Sequence, residues 1–585
     1  MVFHSIDRPA QRDMAALSSS RRLPNLYDLI AIAFLVALGT LAAHGLAEMR
    51  APMTVLAGDP IVLDPARLPE YALRTTLRMV AAILASLLFT FVVATLAAKS
   101  RRAEMLIVPA LDILQSVPVL GFLTFTVTFF IGLFPDSQMG AECASIFALF
   151  TSQAWNMTFS FYQSLRTAPR DLDEVCRGFR LSAWQRFWRL EAPFAAPGLV
   201  WNTMMSMSGG WFFVVASEAI TVGNTTVQLP GLGSWLAVAI DRQDVTAVVW
   251  AVLTMGVVIL LYDQLIFRPI VAWADKFRFE QTASGQRPGS WVYDLVRRTR
   301  LLRKLTAPLA SLWDRVLMLR LPSPRLPAMV ERQSRDLSRV MDVLWIGAVA
   351  AIGAWGVWRL VTYVSASLGW ADLGEAFAGD LATLVRVIVL IALASLVWVP
   401  LGVWIGLRPK VAERVQPVAQ FLAAFPANVL FPVAVLAIVA TGASPNIWLS
   451  PLMVLGTQWY ILFNVIAGAS AFPTDLREAA AVYRLGGFTW WRRVILPGIF
   501  PYYITGALTA SGGSWNASIV AEVANWGDTK LEAFGLGAYI AKATEAGDFP
   551  RVILGIAVMS LFVTLFNRAL WRPLTVFAEK RMRIN

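Results

Sequence analysis

The sequence predicts an all-α polytopic membrane protein in which twelve transmembrane helices form two parallel repeats of six. Three observations predict this fold class. The 585-residue chain is 57% hydrophobic and only 15% charged, with a mean hydropathy of +0.60, which is too apolar for a soluble domain. Its apolar residues gather into runs long enough to cross a bilayer. The second part of the chain also repeats features of the first at a nearly constant offset.

The apolar runs fall into two sets of six, one on each side of a basic segment. The first set comprises residues 26–47, 72–98, 105–134, 141–163, 195–222 and 245–268. The second set comprises residues 341–366, 380–406, 411–440, 448–470, 500–525 and 549–572. The third run of each set contains prolines and is the least regular. The run 26–47 is too long for the core of a signal peptide, so we expect it to be a retained span.

These runs divide the chain into five parts. They are an N-terminal segment with the first span and an outer loop (1–71), a first core (72–273), a basic linker (274–340), a seventh span with its outer loop (341–379) and a second core (380–585). The linker alternates Arg with Leu, Trp and Val. It is interpreted either as amphipathic helices on the anionic inner surface of the membrane or as a plain connection between two once-separate halves.

The positions of the basic residues predict the orientation. Lys and Arg concentrate in alternate loops, in the linker and in the C-terminal tail, so the positive-inside rule places both termini in the cytoplasm. The net charge of +12 therefore indicates membrane topology and not nucleic-acid binding. We expect membrane lipids among the partners and no nucleic acid.

The repeat is visible at single residues. Glu174 matches Glu478 and Pro193 matches Pro497, both at an offset of 304 (478 − 174 and 497 − 193). Further pairs at this offset are Trp211 with Trp515, Glu218 with Glu522, Gly231-Leu232-Gly233 with Gly535-Leu536-Gly537, and Asp244 with Asp548. Pro109 and Pro118 match Pro417 and Pro426 at an offset of 308. Six spans per repeat give the two copies the same orientation in the membrane.

Two polar, Arg-rich segments interrupt the apolar runs at equivalent places. They are the first polar segment, residues 171–197, and the second polar segment, residues 475–501. Each begins with Pro and Asp signals for a helix start and ends with a Pro suited to the first turn of the next helix. A short helix outside the bilayer is predicted in each, on the cytoplasmic side.

The second polar segment carries the pattern Glu478-Ala479-Ala480 followed by Ile495-Leu496-Pro497. This pattern resembles the signature loop of ABC importer permeases, and the whole chain is similar to a duplicated form of the nitrate, taurine, sulfonate and bicarbonate branch. The resemblance covers about 72–272 and 380–578 and implies a type I ABC importer-like fold. It also implies that each polar segment forms a coupling helix docked on an ATP-binding subunit.

Both copies depart from the family pattern. The family usually has Gly six positions after the Glu, where this chain has Arg180 and Arg484, so the turn is expected to be shifted. The first copy also lacks the double Ala and ends Glu191-Ala192-Pro193, so the two docking surfaces are expected to be unequal. The residues that the resemblance assigns to coupling are Asp171, Glu174, Arg177, Gly178, Ser182, Pro193, Asp475, Glu478, Ala479, Ala480, Gly486 and Pro497.

Sequence motifs argue against catalysis by this chain. It has no GxxxxGK[ST] motif, so ATP and Mg²⁺ are expected in partner subunits. Its two cysteines and two histidines lack metal-site spacing, so no metal site is predicted.

Small and polar residues near the middle of several spans are candidates for the substrate path. Those in the fifth and eleventh spans favour either a kinked or broken helix that lines the path or close helix packing. Those in the fourth and tenth spans fit ligand contacts or interhelical hydrogen bonds. The candidates are Gln153, Asn156, Ser206, Ser208, Gln458, Tyr460, Ser511, Ser514 and Asn516.

Glu218 and Glu522 are the acidic candidates, near the outer ends of the fifth and eleventh spans. A carboxylate in a membrane is costly unless it faces protein or water. Two interpretations are open: a role in the gate or substrate path, or capping of a neighbouring helix end. The sequence names no basic partner for either.

The resemblance implies the permease of an ATP-driven importer in a bacterial inner membrane, working by alternating access. Its expected partners are two ABC ATP-binding subunits and a periplasmic or lipid-anchored substrate-binding protein. The cargo is expected to be a small anion, with amino acids or other small solutes as an alternative. A proton-coupled secondary transporter that uses Glu218 and Glu522 is the competing class, and a channel or scaffold is a third.

Overall fold

The computed structural model describes residues 61–116, 123–135, 137–222, 225–277, 289–319 and 328–581, with scattered positions between 29 and 47. Regular structure within these residues is almost entirely helical, which confirms the predicted fold class. The predicted span 26–47 lies largely outside the described residues.

The first repeat contains ten helices and one hairpin in the described part of the chain. In order they are α1 (Leu68–Lys99), α2 (Arg101–Ser116), α3 (Leu123–Leu133), α4 (Met139–Arg166), α5 (Arg170–Gly178), α6 (Ala183–Arg186), α7 (Ala192–Glu218), β1 (Ala219–Val222), β2 (Thr225–Gln228), α8 (Leu232–Asp241), α9 (Val245–Tyr262) and α10 (Arg268–Ala274).

The linker and the second repeat follow. The linker forms α11 (Trp291–Arg298) and α12 (Arg300–Leu317). The second repeat contains α13 (Ala328–Ser365), α14 (Trp370–Gly406), α15 (Pro409–Ala424), α16 (Phe431–Thr441), α17 (Pro445–Trp448), α18 (Leu452–Leu455), α19 (Gln458–Ser470), α20 (Thr474–Val482), α21 (Gly487–Trp490), α22 (Leu496–Ala521), β3 (Val523–Trp526), β4 (Thr529–Glu532), α23 (Leu536–Glu545), α24 (Phe549–Phe566) and α25 (Arg572–Arg581).

Six helical segments of the described chain are long and apolar enough to cross a membrane. They are Pro65–Lys99, Val245–Phe277, Val340–Ser365, Trp370–Gly406, Gly487–Ala521 and Phe549–Ala578. Two further helix pairs qualify only together, with bends of 75° between α15 and the helical segment 427–441 and of 45° between 445–455 and α19. Pro426 lies in the sharper bend, as the prolines of the third run lead us to expect. The total of twelve spans stays a prediction.

Short π-helical turns recur at equivalent positions. They cover Phe187–Glu191 and Asp263–Phe267 in the first repeat, and Trp491–Ile495 and Asn567–Trp571 in the second. Each is followed by a helix with a proline in its first turn. Because proline has no N–H to donate, a wider turn before it leaves the backbone free to continue as a helix.

Each repeat is organised around three helices that pack on one another. In the first repeat α4 packs against α1 and α7, and in the second α19 packs against α14 and α22. The repeats contact each other reciprocally, because α15 packs on α7 and α9 while α2 packs on α24. The chain thereby builds within one polypeptide the self-complementary interface that a symmetric dimer would have.

A two-stranded antiparallel hairpin follows the central helix of each repeat. In the first hairpin Ala219 pairs with Gln228, and in the second Val523 pairs with Glu532. Both pairs differ by 304 residues (523 − 219 and 532 − 228). The register is therefore the same in the two copies.

Candidate functional site

The first polar segment folds as α5, a tight turn, α6 and the start of α7. Asp171, Glu174, Arg177 and Gly178 are exposed on α5 or at its end. Ser182 begins α6 by accepting a hydrogen bond from the Gln185 N–H, while the Gln185 side chain accepts one from the Ser182 N–H. Pro193 lies in the first turn of α7. The segment thus presents an acidic helix N-terminus to the surroundings.

The second polar segment has the same course. Asp475, Glu478 and Ala479 are exposed on α20, while Ala480 is buried. Gly486 precedes α21, and Pro497 lies in the first turn of α22. A groove of about 360 Å³ runs beside α20. Its lining includes Ala479, Ala480, Tyr483, Pro497 and Arg581.

Both coupling candidates end in the same left-handed turn. Arg180 has φ 52° and Arg484 has φ 48°. The Leu181 N–H donates to the Cys176 carbonyl at 3.1 Å, and the Arg180 N–H donates to the Arg177 carbonyl at 2.9 Å. This pair of bonds is a Schellman motif, in which the left-handed residue is most often Gly. The predicted shift of the turn is therefore wrong. The turn lies at the position where the family usually has Gly, and Arg adopts the left-handed conformation there.

Ion pairs attach the first polar segment to the core. Arg186 pairs with Asp173 of α5 at 2.9 Å and with Glu191 at 3.2 Å. Glu191 in turn pairs with Lys99 at the end of α1. At the equivalent positions the second repeat has Arg477, Trp490, Ile495 and Leu407 (173 + 304, 186 + 304, 191 + 304 and 99 + 308), which cannot form this network. The two segments are held to the protein by different chemistry, in line with the expected inequality of the two surfaces.

A cavity of about 130 Å³ lies between the two repeats. Both repeats line it with equivalent helices: α4 and α7 on one side, α19 and α22 on the other. Of the candidate path residues, Asn156, Ser206, Tyr460 and Asn516 line this cavity. Among the residues that the structure describes, none that lines this cavity is charged.

Gln153, Gln458, Ser511 and Ser514 lie outside the lining. Gln458 accepts a hydrogen bond from the Trp398 indole at 2.8 Å, and Ser514 bonds Thr457 at 3.0 Å. Ser511 and Gln153 are buried, and neither amide atom of Gln153 has a partner among the described residues. Of the Ser208 side chain the structure gives no description. The hydrogen bonds of Gln458 and Ser514 favour interhelical packing for these two candidates.

The glycines beside these serines do not break their helices. Both α7 and α22 continue through Gly209-Gly210 and Gly512-Gly513. A Cβ at Gly210 would lie 2.8 Å from the Gln153 amide nitrogen, and one at Gly513 would lie 2.5 Å from Thr457. Close packing of helices, and not a broken helix, explains these two glycines.

Glu218 lies in a buried network at the C-terminal end of α7. Its carboxylate accepts hydrogen bonds from the Thr75 hydroxyl at 2.7 Å, from Arg78 at 2.8 Å and from the Gly233 N–H at 2.6 Å. Arg78 also donates twice to Glu142, at 2.5 and 2.6 Å. A Cβ at Gly231 would collide with the Glu218 carboxylate, so the Gly-Leu-Gly motif lets the start of α8 approach it.

Glu522 repeats most of this arrangement. It accepts from the Thr383 hydroxyl at 2.7 Å, from Arg386 at 2.9 Å and from the Ala538 N–H at 3.1 Å. Asn446 stands where the first repeat has Glu142 (142 + 304), and it faces Arg386 at 3.4 Å. Neither Glu218 nor Glu522 lines the cavity. Their contacts favour the interpretation as caps of neighbouring helices, each neutralised by an arginine.

Arg78 and Arg386 are the functional residues that sequence reasoning missed. Both lie inside strongly apolar runs, where they attract less attention than the loop arginines. A signal was nevertheless present, because Thr75-x-x-Arg78 matches Thr383-x-x-Arg386 at an offset of 308 (383 − 75 and 386 − 78). That is also the offset of the paired prolines in the following spans.

A family described as "Binding-protein-dependent transport system inner membrane component" matches residues 86–268 and 398–570, once in each repeat. The chain is 29% identical over 186 residues to the nitrate import permease protein NrtB of Leptolyngbya laminosa, which covers 32% of this chain and 63% of that protein. It is 27% identical over 211 residues to the bicarbonate transport system permease protein CmpB of Synechococcus elongatus, covering 36% of this chain and 72% of that protein. It is also 27% identical over 198 residues to the taurine transport system permease protein TauC of Escherichia coli, covering 33% and 68%.

Proposed function

Because the chain belongs to the family of binding-protein-dependent transport system inner membrane components, we propose that it is the permease of an ATP-driven importer. Both permease units lie in one polypeptide, so one chain takes the place of a permease dimer. The observation that carries this proposal is the cavity between the repeats, which equivalent helices of both repeats line. A path at the interface of two repeats is what alternating access requires.

The exposed helices α5 and α20 are the coupling helices of this proposal. Each docks on one of two ATP-binding subunits, which bind ATP and Mg²⁺, with Glu174 and Glu478 exposed at the contact. ATP binding brings the subunits and the two helices together and opens the cavity outward, and hydrolysis resets it. In this proposal α5, α20 and both termini lie in the cytoplasm of a bacterial cell.

We propose a small anion as the cargo, delivered by an external binding protein. Nitrate, bicarbonate and taurine are the substrates in the names of three relatives. The cavity is small and offers hydroxyl and amide groups without a fixed positive charge. Such a lining holds an anion weakly, so the cargo is released readily after the binding protein has delivered it.

The test is ATP-driven uptake by the chain reconstituted in vesicles with the ATPase and binding proteins that co-purify with it. Glu478→Arg should leave the protein folded and reduce uptake by about tenfold or more, because it reverses a charge at a docked contact. Glu413→Arg is the matched control, since Glu413 is also exposed but lies on α15. Normal uptake by Glu478→Arg would contradict the assignment.

The same vesicles distinguish the competing classes. ATP-dependent uptake of labelled nitrate, bicarbonate or taurine supports the proposal. If amino acids inhibit ATP-dependent uptake and these anions do not, the cargo is an amino acid and not a small anion. Uptake driven by a proton gradient without ATP would instead support a secondary transporter.

A further inference from the structure

The linker does more than join the two repeats, because its second helix packs on the first polar segment. The Trp184 indole donates a hydrogen bond to the Val316 carbonyl at 2.9 Å, and the Gln185 amide donates to the Met318 carbonyl at 3.1 Å. The rings of Trp188 and Trp313 meet edge to face, with centroids 5.2 Å apart. Leu317 is buried at the end of α12.

These bonds hold the C-terminal end of α12. The Val316 carbonyl accepts from the Leu319 N–H at 3.2 Å and from the Trp184 indole. The Gln185 amide donates to the carbonyl of Met318, the residue that follows α12. Gln185 also holds Ser182 in the capping box of α6, so one buried side chain joins the linker to the start of α6.

The contact extends to the coupling helix through the ion pairs already described. Arg186 follows Gln185 directly and pairs with Asp173 on α5. The linker, α6 and α5 therefore form one connected unit. This unit exposes apolar side chains at α5 and on α12. Phe179 at the end of α5 is 68% exposed, and Trp313 on α12 is 50% exposed.

The second repeat lacks the residues for this contact. Phe488, Thr489 and Arg492 stand at the positions of Trp184, Gln185 and Trp188 (184 + 304, 185 + 304 and 188 + 304). Phe488 is 78% exposed, so no described element covers it as the linker covers Trp184. The open groove beside α20 is the other sign that the second segment is uncovered among the described residues.

We propose that α12 forms part of one of the two ATPase docking surfaces, which makes that surface a composite of linker and coupling helix and chemically different from the other. This inference rests on the proposed function. The occupant is an ATP-binding subunit, because the apolar surface of α12 is continuous with the coupling segment through Trp184, Gln185 and Arg186. The second surface consists of α20 and its groove without a linker helix.

The test exchanges the contact residues between repeats. Trp184→Phe, Gln185→Thr and Trp188→Arg together give the first segment the side chains that the second already has, so the triple variant is expected to fold. Trp358→Phe is the control, because Trp358 is an exposed tryptophan of α13 outside both polar segments and the linker. Both are titrated, beside the wild type, with the ATPase subunit that co-purifies from native membranes, and complexes are counted by native mass spectrometry.

The wild type should bind two ATPase subunits with different affinities. The exchange should weaken one site by about tenfold and leave the other unchanged, and Trp358→Phe should change neither site. Hydrogen exchange in residues 300–317 should also slow when the ATPase binds the wild type.

Two equal sites in the wild type, or unchanged exchange in α12 on ATPase binding, would overturn the composite surface while leaving the importer assignment intact. A wild-type chain that binds no ATPase would overturn the proposed function and this inference together.

Discussion

Arg180 and Arg484 hold a left-handed backbone conformation at the ends of α5 and α20. A side chain with a Cβ is disfavoured there by about 1–2 kcal/mol relative to the right-handed region, whereas Gly is not. The Schellman bonds around Arg180 and the matching bonds around Arg484 maintain the conformation in both repeats. The cost of Arg is therefore tolerated twice at the same place.

Arg484→Gly should stabilise the protein by about 1 kcal/mol, because it removes this backbone cost. Thermal unfolding in detergent measures the effect as a higher midpoint. Arg477→Gly is the control with the opposite sign, since Arg477 lies inside α20, where Gly costs about 1 kcal/mol. A lower midpoint for Arg484→Gly would show that the arginine side chain contributes more than its backbone costs.

Arg78 is fully buried, and its guanidinium lies between the carboxylates of Glu142 and Glu218. Removing one partner of a buried ion pair leaves the other charge uncompensated. Arg386 has a milder setting, because it is 12% exposed and faces Glu522 and the neutral Asn446.

Arg78→Met should destabilise the protein by about 3–5 kcal/mol and lower the yield of folded protein in detergent. Arg386→Met should cost less. Adding Glu142→Gln and Glu218→Gln to Arg78→Met should recover part of the loss, because the unpaired charges are then gone. Equal yields for the two arginine variants would contradict the difference between the repeats.

At the scale of elements, the cavity depends on how closely α4, α7, α19 and α22 approach one another. Gly512 of α22 lines the cavity, and a Cβ there would meet nothing within 4 Å. The position can therefore accept a larger side chain without a clash at its root, and that side chain would occupy the cavity.

Gly512→Leu should reduce uptake by about tenfold or more, because the new side chain occupies the space through which the cargo must pass. Uptake into reconstituted vesicles measures it. Gly353→Leu is the control, since Gly353 is also helical with nothing near its Cβ but is exposed on α13. Unchanged uptake by Gly512→Leu would place the path elsewhere.

At the scale of the whole molecule, the two native cysteines report the orientation. Cys143 lies near the start of α4. Cys176 lies on α5, which follows the C-terminal end of α4. About 35 Å of helix separates Cys143 from the end of α4 at 1.5 Å per residue, which is long enough to cross a bilayer. The proposed topology therefore puts the two thiols on opposite sides of the membrane.

A membrane-impermeant maleimide should label Cys176 in inside-out vesicles and not in intact cells. Burial, and next the charge of Asp173, raise the pKa of the Cys176 thiol, so less thiolate is present at neutral pH and labelling should accelerate as the pH rises. Mass spectrometry of the labelled peptide measures the rate, and Cys176→Ser is the control. Labelling of Cys176 from outside intact cells would reverse the proposed topology.

The sequence by itself determined the fold class, the duplication and the positions of both polar segments. The lengths of the apolar runs and the constant offset between the repeats can be read from the sequence alone, because neither depends on how the helices pack. The sequence also indicated part of the contact between Glu218 and Gly233, because the Glu and the Gly-Leu-Gly motif repeat at the same offset.

Only the tertiary structure decided which residues meet across the chain. Arg78 and Glu218 are 140 residues apart, and the linker reaches Trp184 from 132 residues away. It also decided that Asn156 and Tyr460 line the cavity while Gln153 and Gln458 do not. Contacts of this kind depend on how helices rotate and pack against each other, and that is set by the combined shape of all the side chains between them.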